Sequence, residues 1–409
     1  MKCFVVVFFV LCAHSVLSKL EVKYQWKEVQ YAWPSESAKK EAINSGEFKP
    51  ENNLPLGLDI WRDKLFITVP RWKPGVASSL NYIKLNDEES PLLIPYPSWK
   101  ANTIATNAIE GSLANNETII SPLRISIDEC SRLWIMDCGL SDIYGSLTKI
   151  SAPAIVIFDL NTDKLIKRYT LPSNVAKGNP FFPSVIVDIS KNRCDDAYAY
   201  LPEMRDNSLV VYSFKSDESW NIKHSFFHFD PLSSDYNVGG INFQWQGGII
   251  GMALGKETNE KTRTVYFHPL SSSREFSVPN FVLQNRTHAL SKESFHDFKL
   301  VGDRGERGQS TTESIDADTN VLVYTQINKD AVGCWNLNKP YIPEHQGIID
   351  ADSELLVYPN DLKIDRDGNV WVLSDRMPIF SHGKLNSNEY NYRVLKGNVK
   401  DLIKGTPCE

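Results

Sequence analysis

Apolar and polar residues alternate on both sides of a short polar turn in two stretches of the chain. In residues 362–376, an alternating segment leads into Asp367-Gly368, and an apolar run around Trp371 follows. Residues 125–137 repeat the same order of apolar residue, Asp, turn, apolar residue and Trp. Alternation with period two predicts β-hairpins, and Asp-Gly favours a type I′ turn because that turn needs positive φ at both central residues.

The same pattern recurs in weaker form elsewhere in the chain. The weaker copies are residues 58–69, 187–201, 241–254 and 315–327. Six strand pairs at about the interval of a propeller blade predict an all-β, six-bladed β-propeller. An open β-sandwich of two domains is the alternative, and the recurrence of similar units without a linker favours the ring.

The two ends of the chain also carry regular patterns. Residues 22–31 alternate as a strand, and Pro34-Ser35 opens a short helix, 36–44, which ends at Gly46. A last strand at 390–395 precedes a helical tail at 399–403. We expect the N-terminal strand to complete the sheet of the last blade, because closing the ring leaves no bare strand edge.

The first residues predict the compartment. Lys2, the apolar residues 3–12 and small residues up to Ser18 have the order of a secretory signal peptide. We therefore expect cleavage after residue 18 and one propeller domain over residues 19–409. The apolar run is too short for a permanent membrane anchor, so the product is expected to be secreted and extracellular.

Composition narrows the range of partners. Aromatic residues make up 11% of the chain, which suits all-β packing. The formal net charge is −6 and no basic block occurs, so nucleic acid is not an expected partner. The oligomeric state is not predicted by these features.

The cysteines are expected to form disulfides in an oxidising compartment. Five remain after signal cleavage, and sequence alone does not determine their connectivity. We expect Cys130 to pair with Cys194, joining the turns of successive repeats, and Cys334 to pair with Cys408, holding the C-terminal tail. Cys138 would then be a buried free thiol. No close ligand spacing occurs, so no metal site is expected.

Two sequons lie in polar loops between the repeats. Asn116-Glu117-Thr118 and Asn285-Arg286-Thr287 are usable N-glycosylation acceptors in a secreted chain.

Several dispersed strings resemble the Yellow/major royal jelly protein family of insects, over essentially the whole mature chain. They are residues 52–57, 66–72, 93–99, 331–335 and 373–378, with 237–245 and 294–298 closest to the Yellow branch. The resemblance implies a secreted six-bladed propeller. It also implies links to melanin and cuticle pigmentation, to dopachrome conversion, to binding of biogenic amines in sand-fly saliva, or to nutrition in bees.

The leading functional expectation is a secreted pigmentation protein that binds a catecholamine- or indole-derived small molecule at the propeller mouth. The alternatives are a dopachrome-converting tautomerase and a salivary biogenic amine-binding protein. No hydrolase, zinc-protease or phosphate-loop motif occurs, so enzymatic activity is left open. No cofactor is expected.

The mouth residues are expected to follow the repeated Trp strands. These are Asp137, Ser374, Asp375, Arg376 and Met377. In the functional interpretation a carboxylate meets the amine and aromatic side chains surround the ring. In the structural interpretation Asp375 and Arg376 bridge neighbouring blades.

The resemblance also suggests specific ligand positions. In the amine-binding salivary relatives a Thr, an Asn and a Phe of the last repeat hold the ligand, and the matching positions here are Asn360, Asp375 and Met377. None of the three residue types is kept. Asp375 can still meet an ammonium group, whereas the aromatic wall at position 377 is lost.

Tautomerisation would require a base, and His296 is the candidate because the adjacent Asp297 can orient an imidazole. The alternative is that His296 is a packed core residue. His224 and His228 are interpreted as structural, because no third and fourth zinc ligands lie near them in sequence.

Overall fold

The structure of this chain is a computed structural model that describes residues 20–86, 88–104, 117–190 and 193–409. The expected signal segment and the sequon residue Asn116 lie outside the described residues. Among the described helices, none combines the length and apolar character needed to cross a bilayer.

The repeated sequence pattern has a common physical cause, which is a carboxylate that ties a turn to an aromatic residue. Asp128 accepts a hydrogen bond from the indole nitrogen of Trp134 at 2.7 Å. Asp365 does the same for Trp371 at 2.8 Å, and Asp188 accepts from the hydroxyl of Tyr200 at 2.8 Å. In blades 2, 3 and 6 the acidic residue at the end of the first strand therefore positions the second strand.

The turn in the last repeat differs from the expected type I′. Gly368 donates its N–H to the carbonyl of Asp365 at 3.1 Å, so Arg366 and Asp367 are the central residues. Only Gly368 in this turn has positive φ, at 74°. The type I′ prediction was wrong because the Asp365 carboxylate accepts the amide hydrogens of Asp367 and Asn369, at 3.0 and 2.9 Å, and holds a different turn.

Six four-stranded antiparallel sheets form the blades, which confirms the six-bladed β-propeller. Blade 1 contains Leu58–Trp61, Lys64–Thr68, Leu80–Lys84 and Ile94–Pro95. Blade 2 contains Pro122–Ile127, Arg132–Asp137, Ala154–Asp159 and Lys164–Thr170. Blade 3 contains Ile186–Asp188, Tyr198–Glu203, Ser208–Ser213 and Glu218–Lys223. Blade 4 contains Ile249–Leu254, Thr264–Pro269, Arg274–Pro279 and Lys299–Asp303. Blade 5 contains Glu313–Asp316, Val321–Gln326, Ala331–Asn336 and Gln346–Ala351. Blade 6 contains Pro359–Ile364, Asn369–Ser374, Tyr392–Asn398 and the N-terminal strand Glu21–Trp26.

The ring closes through the N-terminal strand, as expected. Glu21–Trp26 pairs antiparallel with Tyr392–Asn398, and Trp26 lies opposite Tyr392. The first strands of neighbouring blades contact one another around the axis. Backbone groups also join blades: Leu58 N–H donates to Asp361 at 2.8 Å, between blades 1 and 6.

One repeat was assigned incorrectly from the sequence. Ile241–Gln244 is not a blade strand, because it pairs with Asp235–Val238 in a separate hairpin before blade 4. A second such hairpin, Leu140–Ser141 with Thr148–Lys149, lies within blade 2. Both hairpins belong to connections on the face where second strands end.

Short helices occupy the connections. The α-helices are Glu36–Ser45 (α1), Trp99–Asn102 (α2), Asn280–Gln284 (α3), Arg286–Ala289 (α4), Met377–His382 (α5) and Val399–Leu402 (α6). The 3-10 helices are Pro50–Asn52, Cys194–Asp196, Ser225–Phe227, Pro231–Ser233, Glu293–Asp297, Ile327–Lys329 and Pro343–His345. Ser35 caps α1 and Gly46 ends it with φ 80°, and α6 forms the expected tail.

Both expected disulfides are present. Cys130 bonds to Cys194, joining the first turns of blades 2 and 3, and Cys334 bonds to Cys408, holding the tail against blade 5. Cys138 is the free cysteine of the described residues, and burial raises its thiol pKa to about 12.

Asp128→Asn should destabilise the protein strongly. Asp128 also pairs with the buried Arg132 at 2.6 Å, and removing one partner of a buried ion pair costs about 3–5 kcal/mol. Asp365→Asn is the matched control, because it loses the same indole contact without an arginine. It should cost about 1–3 kcal/mol. Urea unfolding of the two variants measures the difference, and an equal loss would show that the Arg132 pair contributes nothing.

Candidate functional site

The candidate site lies where the first strand of blade 6 begins and its second strand ends. Pro359 lies opposite Ser374 in the sheet, which brings Asn360 and Asp375 together. Asn360 Nδ2 donates to Asp375 Oδ2 at 2.5 Å, and the amide of Met377 donates to Asp375 Oδ1 at 3.1 Å. Asp375 is 0% exposed, and Asn360 and Met377 are also buried.

Burial dominates the electrostatics of Asp375. The loss of water raises the pKa of this carboxyl to about 8, although the hydrogen bonds from Asn360 and Met377 act in the opposite direction. Asp375 is therefore mostly protonated at neutral pH. A cation placed beside it would favour the charged form and release the proton.

Arg124 of blade 2 lies near this carboxyl and bonds to residues outside its own blade. Its guanidinium donates to the Asn360 carbonyl at 2.7 Å and side-chain oxygen at 2.6 Å, and to the Pro183 carbonyl at 3.2 Å. It also lies 3.4 Å from Asp361. One buried arginine of blade 2 thus connects blade 6 with the approach to blade 3. The sequence signal for it was a single charge in the apolar strand Pro122–Ile127.

Three tyrosines lie near enough to Asp375 for its charge to affect their pKa: Tyr358 and Tyr392 are buried, whereas Tyr144 is 45% exposed. Burial raises the pKa of Tyr144, Tyr358 and Tyr392, and the charge of Asp375 raises each of them further. The phenols therefore remain protonated and can donate hydrogen bonds. They supply aromatic surface that the sequence alone did not assign to the site.

Helix α5 forms a roof over the carboxyl. Its residues Met377 and Phe380 are buried. Ser381 Oγ lies 2.7 Å from the Tyr144 hydroxyl, and Lys73 Nζ donates to the Phe380 carbonyl at 2.7 Å while lying 3.9 Å from the Phe380 ring centroid. Loops of blades 1 and 2 therefore hold α5 in place.

A pocket of about 280 Å³ opens beside α5. Its lining includes Lys73, Phe380 and Tyr392, one of the tyrosines near Asp375, but not Asp375 itself. A larger groove of about 920 Å³, walled by Trp33 and Trp99, lies between α1 and the loops of blades 1 and 2, and its lining does not include Asp375.

The remaining predicted mouth residues have other partners. Arg376 pairs with Glu389 at 3.1 Å within the same connection, and Ser374 Oγ donates to the Val357 carbonyl at 2.8 Å. Asp137 accepts the amide hydrogens of Ile120 and Ser121, both at 2.9 Å. The side-chain hydrogen bonds of Asp375 and the ion pair of Arg376 lie within blade 6, so Arg124 makes the link between blades that the structural interpretation assigned to these two residues.

His296 lies apart from this constellation. It is exposed in the connection between the third and fourth strands of blade 4, at the outer edge of that blade. The carboxylate expected to orient it, Asp297, instead contacts His288 Nε2 at 2.7 Å. The prediction that Asp297 orients His296 was therefore wrong, because the local helix places the Asp297 carboxylate against His288.

One cluster of the described residues has the donor set of a metal site. His268 Nδ1 lies 3.2 Å from Glu275 and 3.1 Å from Glu313, all buried between blades 4 and 5. Arg304 already donates to Glu275 at 2.6 Å. When a metal binds one nitrogen of an imidazole, the other N–H normally donates a hydrogen bond. Nε2 of His268 has no such partner, and it lies so close to Gly251 that a Cβ there would be 2.2 Å away. These contacts fit a proton-sharing ion cluster better than a metal site.

His224 is structural, as interpreted from the sequence. Its ring stacks on Phe295 and Phe298 with centroids 4.5 and 4.2 Å apart, and its Nδ1 accepts the amide hydrogen of Phe226 at 3.0 Å.

The fold and site together define a six-bladed propeller with a buried acidic centre on its axis. A family model for the major royal jelly protein matches residues 120–408. This chain belongs to the major royal jelly protein family, which confirms the resemblance.

The relatives are Yellow proteins of fruit flies. The chain is 41% identical to Protein yellow of Drosophila yakuba and of Drosophila melanogaster, over 96% of this chain and 71% of each relative. It is 42% identical to Protein yellow of Drosophila subobscura over 96% of this chain and 67% of that protein. Among solved structures, a luciferin-regenerating enzyme matches with a TM-score of 0.48 at 8% identity, over 87% of this chain and 93% of that chain. A likeness at that level says nothing about function.

The pH dependence of stability should report the buried carboxyl. Its pKa is about 8 in the folded protein against an ordinary 3.8, so the folded state holds an extra proton between these values. The contribution of Asp375 to stability should therefore be complete below about pH 4 and fall as the pH rises to 8, with a slope for this group approaching about 1.4 kcal/mol per pH unit. Asp375→Asn should be flatter than wild type over this range in urea unfolding. Parallel curves would contradict the burial of a protonated Asp375.

Proposed function

We propose that this chain is a secreted Yellow-type protein of insect cuticle pigmentation that binds a catecholamine- or indole-derived amine at Asp375. The single observation that carries the proposal is the buried carboxyl, hydrogen-bonded to Asn360, with the buried Tyr358 and Tyr392 near enough for its charge to affect their pKa. Secretion is supported by the N-terminal pattern and by the two disulfides. The pigmentation role is supported by relatedness to Yellow proteins.

The chemistry of the site suits an ammonium group. A protonated carboxyl tolerates burial without a partner better than a carboxylate does. When an ammonium group arrives, the carboxyl can ionise and form a charge-assisted hydrogen bond, which is stronger in a dry site. Asn360 would hold the second oxygen, and the tyrosine rings offer faces to a catechol or indole.

The ligand must pass the roof of the site. Helix α5 starts at Met377, whose amide is bonded to the carboxyl, and its Met377 and Phe380 side chains are buried. The pocket beside α5 reaches Tyr392. We infer that the amine enters from this side after a small displacement of α5. Breaking the Tyr144–Ser381 and Lys73–Phe380 contacts would allow that displacement.

Calorimetry with dopamine and serotonin tests the amine proposal. Below pH 8 binding must remove the Asp375 proton, so affinity should rise about tenfold per pH unit from pH 6 towards 8. Close to one proton should be released per ligand at pH 6.5, measured in buffers with different ionisation enthalpies. Asp375→Asn should weaken binding about 10- to 100-fold and abolish the proton release.

Two comparisons make the calorimetry specific. 4-Methylcatechol, which lacks the amine, should bind more weakly and without proton release. Glu389→Gln removes an exposed carboxylate that pairs with Arg376 near α5 and should leave dopamine binding unchanged. Equal binding of dopamine by wild type and Asp375→Asn would refute the role of the carboxyl.

A second function, dopachrome conversion, is favoured by the same pKa. A general acid or base works best when its pKa is near the working pH, and the Asp375 pKa of about 8 meets this condition. In this mechanism the ionised form of Asp375, a minority at pH 7, would take a proton from the ring-side carbon while a phenol such as Tyr144 donates a hydrogen bond to the quinone oxygen. The proton would then pass from Asp375 to that oxygen, which completes the isomerisation and returns Asp375 to its ionised form.

Loss of dopachrome colour measures the second function. Wild type should accelerate the loss above the spontaneous rate, and Asp375→Asn should remove most of the acceleration, because general base catalysis contributes about 10²–10⁴-fold. His296→Ala is the comparison variant and should retain the activity. If only His296→Ala lost the activity, the base would be His296 of blade 4 and not Asp375. If wild-type protein did not accelerate the loss of dopachrome above its spontaneous rate, this second function would be refuted.

A further inference from the structure

Helix α3, at the outer edge of blade 4, is held firmly against blade 3. Asn280 Nδ2 and Gln284 Nε2 both donate to Asp188 at 2.9 Å. The carbonyl of Leu283 accepts the indole hydrogen of Trp220 at 3.1 Å. Three contacts along one short helix therefore fix the direction of the residues on its opposite side.

The residue that points outward from α3 is Phe281. It is 54% exposed, whereas Asn280, Val282 and Leu283 are buried. Its ring also forms part of the wall of an open groove of about 400 Å³. A single exposed apolar ring is common on protein surfaces, so only the chemistry of its neighbours can indicate a partner.

The sequon residue Asn285 is the C-cap of α3, four residues after Phe281. Its amide donates to the Phe281 carbonyl at 3.1 Å, and side chains with this spacing have Cβ atoms about 5–6 Å apart. Asn285 is exposed, and its Oδ1 accepts the amide hydrogen of His288 at 3.1 Å to cap α4. Glycosylation modifies Nδ2, so the cap and a glycan are compatible.

We propose that the first N-acetylglucosamine of a glycan on Asn285 packs its apolar face on the ring of Phe281. The sugar comes from a lipid-linked pyrophosphate oligosaccharide: the Nδ2–C1 bond forms, the C1–O bond to phosphate breaks, and Nδ2 loses one proton. The glycan thereby covers an aromatic surface that would otherwise stay in water. This modification site is independent of the Asp375 site.

The test is the thermal unfolding of defined glycoforms secreted by insect cells. A mannosidase inhibitor keeps the glycans in a high-mannose form that an endoglycosidase can cleave. The cleavage leaves one N-acetylglucosamine on Asn285, and mass spectrometry verifies the product. Thr287→Ala removes the sequon but keeps the Asn285 cap. The single-sugar form should unfold at the same temperature as the full glycoform, and Thr287→Ala about 1–3 °C lower.

Two further variants identify the partner of the sugar. In a Phe281→Ser background the single sugar should no longer raise the unfolding temperature, whereas in Leu290→Ser, which alters another exposed apolar residue of the same connection, it should. An unmodified Asn285, a stabilisation that persists in Phe281→Ser, or one that requires the outer sugars would overturn the proposal. So would self-association that Phe281→Ser abolishes, because the ring would then belong to a protein contact.

Discussion

The closed ring excludes water from its axis, and the centre of the molecule depends on that exclusion. Arg124 is buried there with Asn360 and Asp361 as partners, and the Leu58 N–H donates a further hydrogen bond to the Asp361 carboxylate. Buried charges persist only when they are paired. The neighbouring Asp375 has no cation within hydrogen-bonding distance among the described residues, and burial therefore holds it as a neutral acid. Ionisation of Asp375 becomes favourable only when a cation binds beside it.

Those features that depend on local patterns could be predicted from the sequence. The Asp–turn–Trp repeat reflects a hydrogen bond within six residues, and ring closure follows from an unpaired strand at each end of the chain. Both disulfides also agree with expectation. Ile241–Gln244 was misassigned because a local hairpin has the same alternation as a blade strand, and only its partner, Asp235–Val238, distinguishes the two.

Contacts between distant residues could not be predicted in the same way. Arg124 meets Asn360 across 236 positions, and nothing in either local segment indicates the other. The short helices around Arg376 and Asp297 determine where these two side chains lie. Arg376 therefore pairs with Glu389, and Asp297 contacts His288. The candidate site was consequently predicted for Asn360, Asp375 and Met377, which the structure brings together, but not for its arginine, its tyrosines or its roof.

The amine-binding proposal depends on Asp375 being protonated in the ligand-free protein. Difference infrared spectroscopy of wild type against Asp375→Asn can detect the carbonyl stretch of a single protonated carboxyl, since other buried acids such as Glu275 cancel. At pH 7 we expect a band from protonated Asp375, which should disappear above pH 9 and also when dopamine saturates the protein at pH 7. A carboxyl already ionised at pH 6, or a protonated band that survives saturation with the amine, would contradict it.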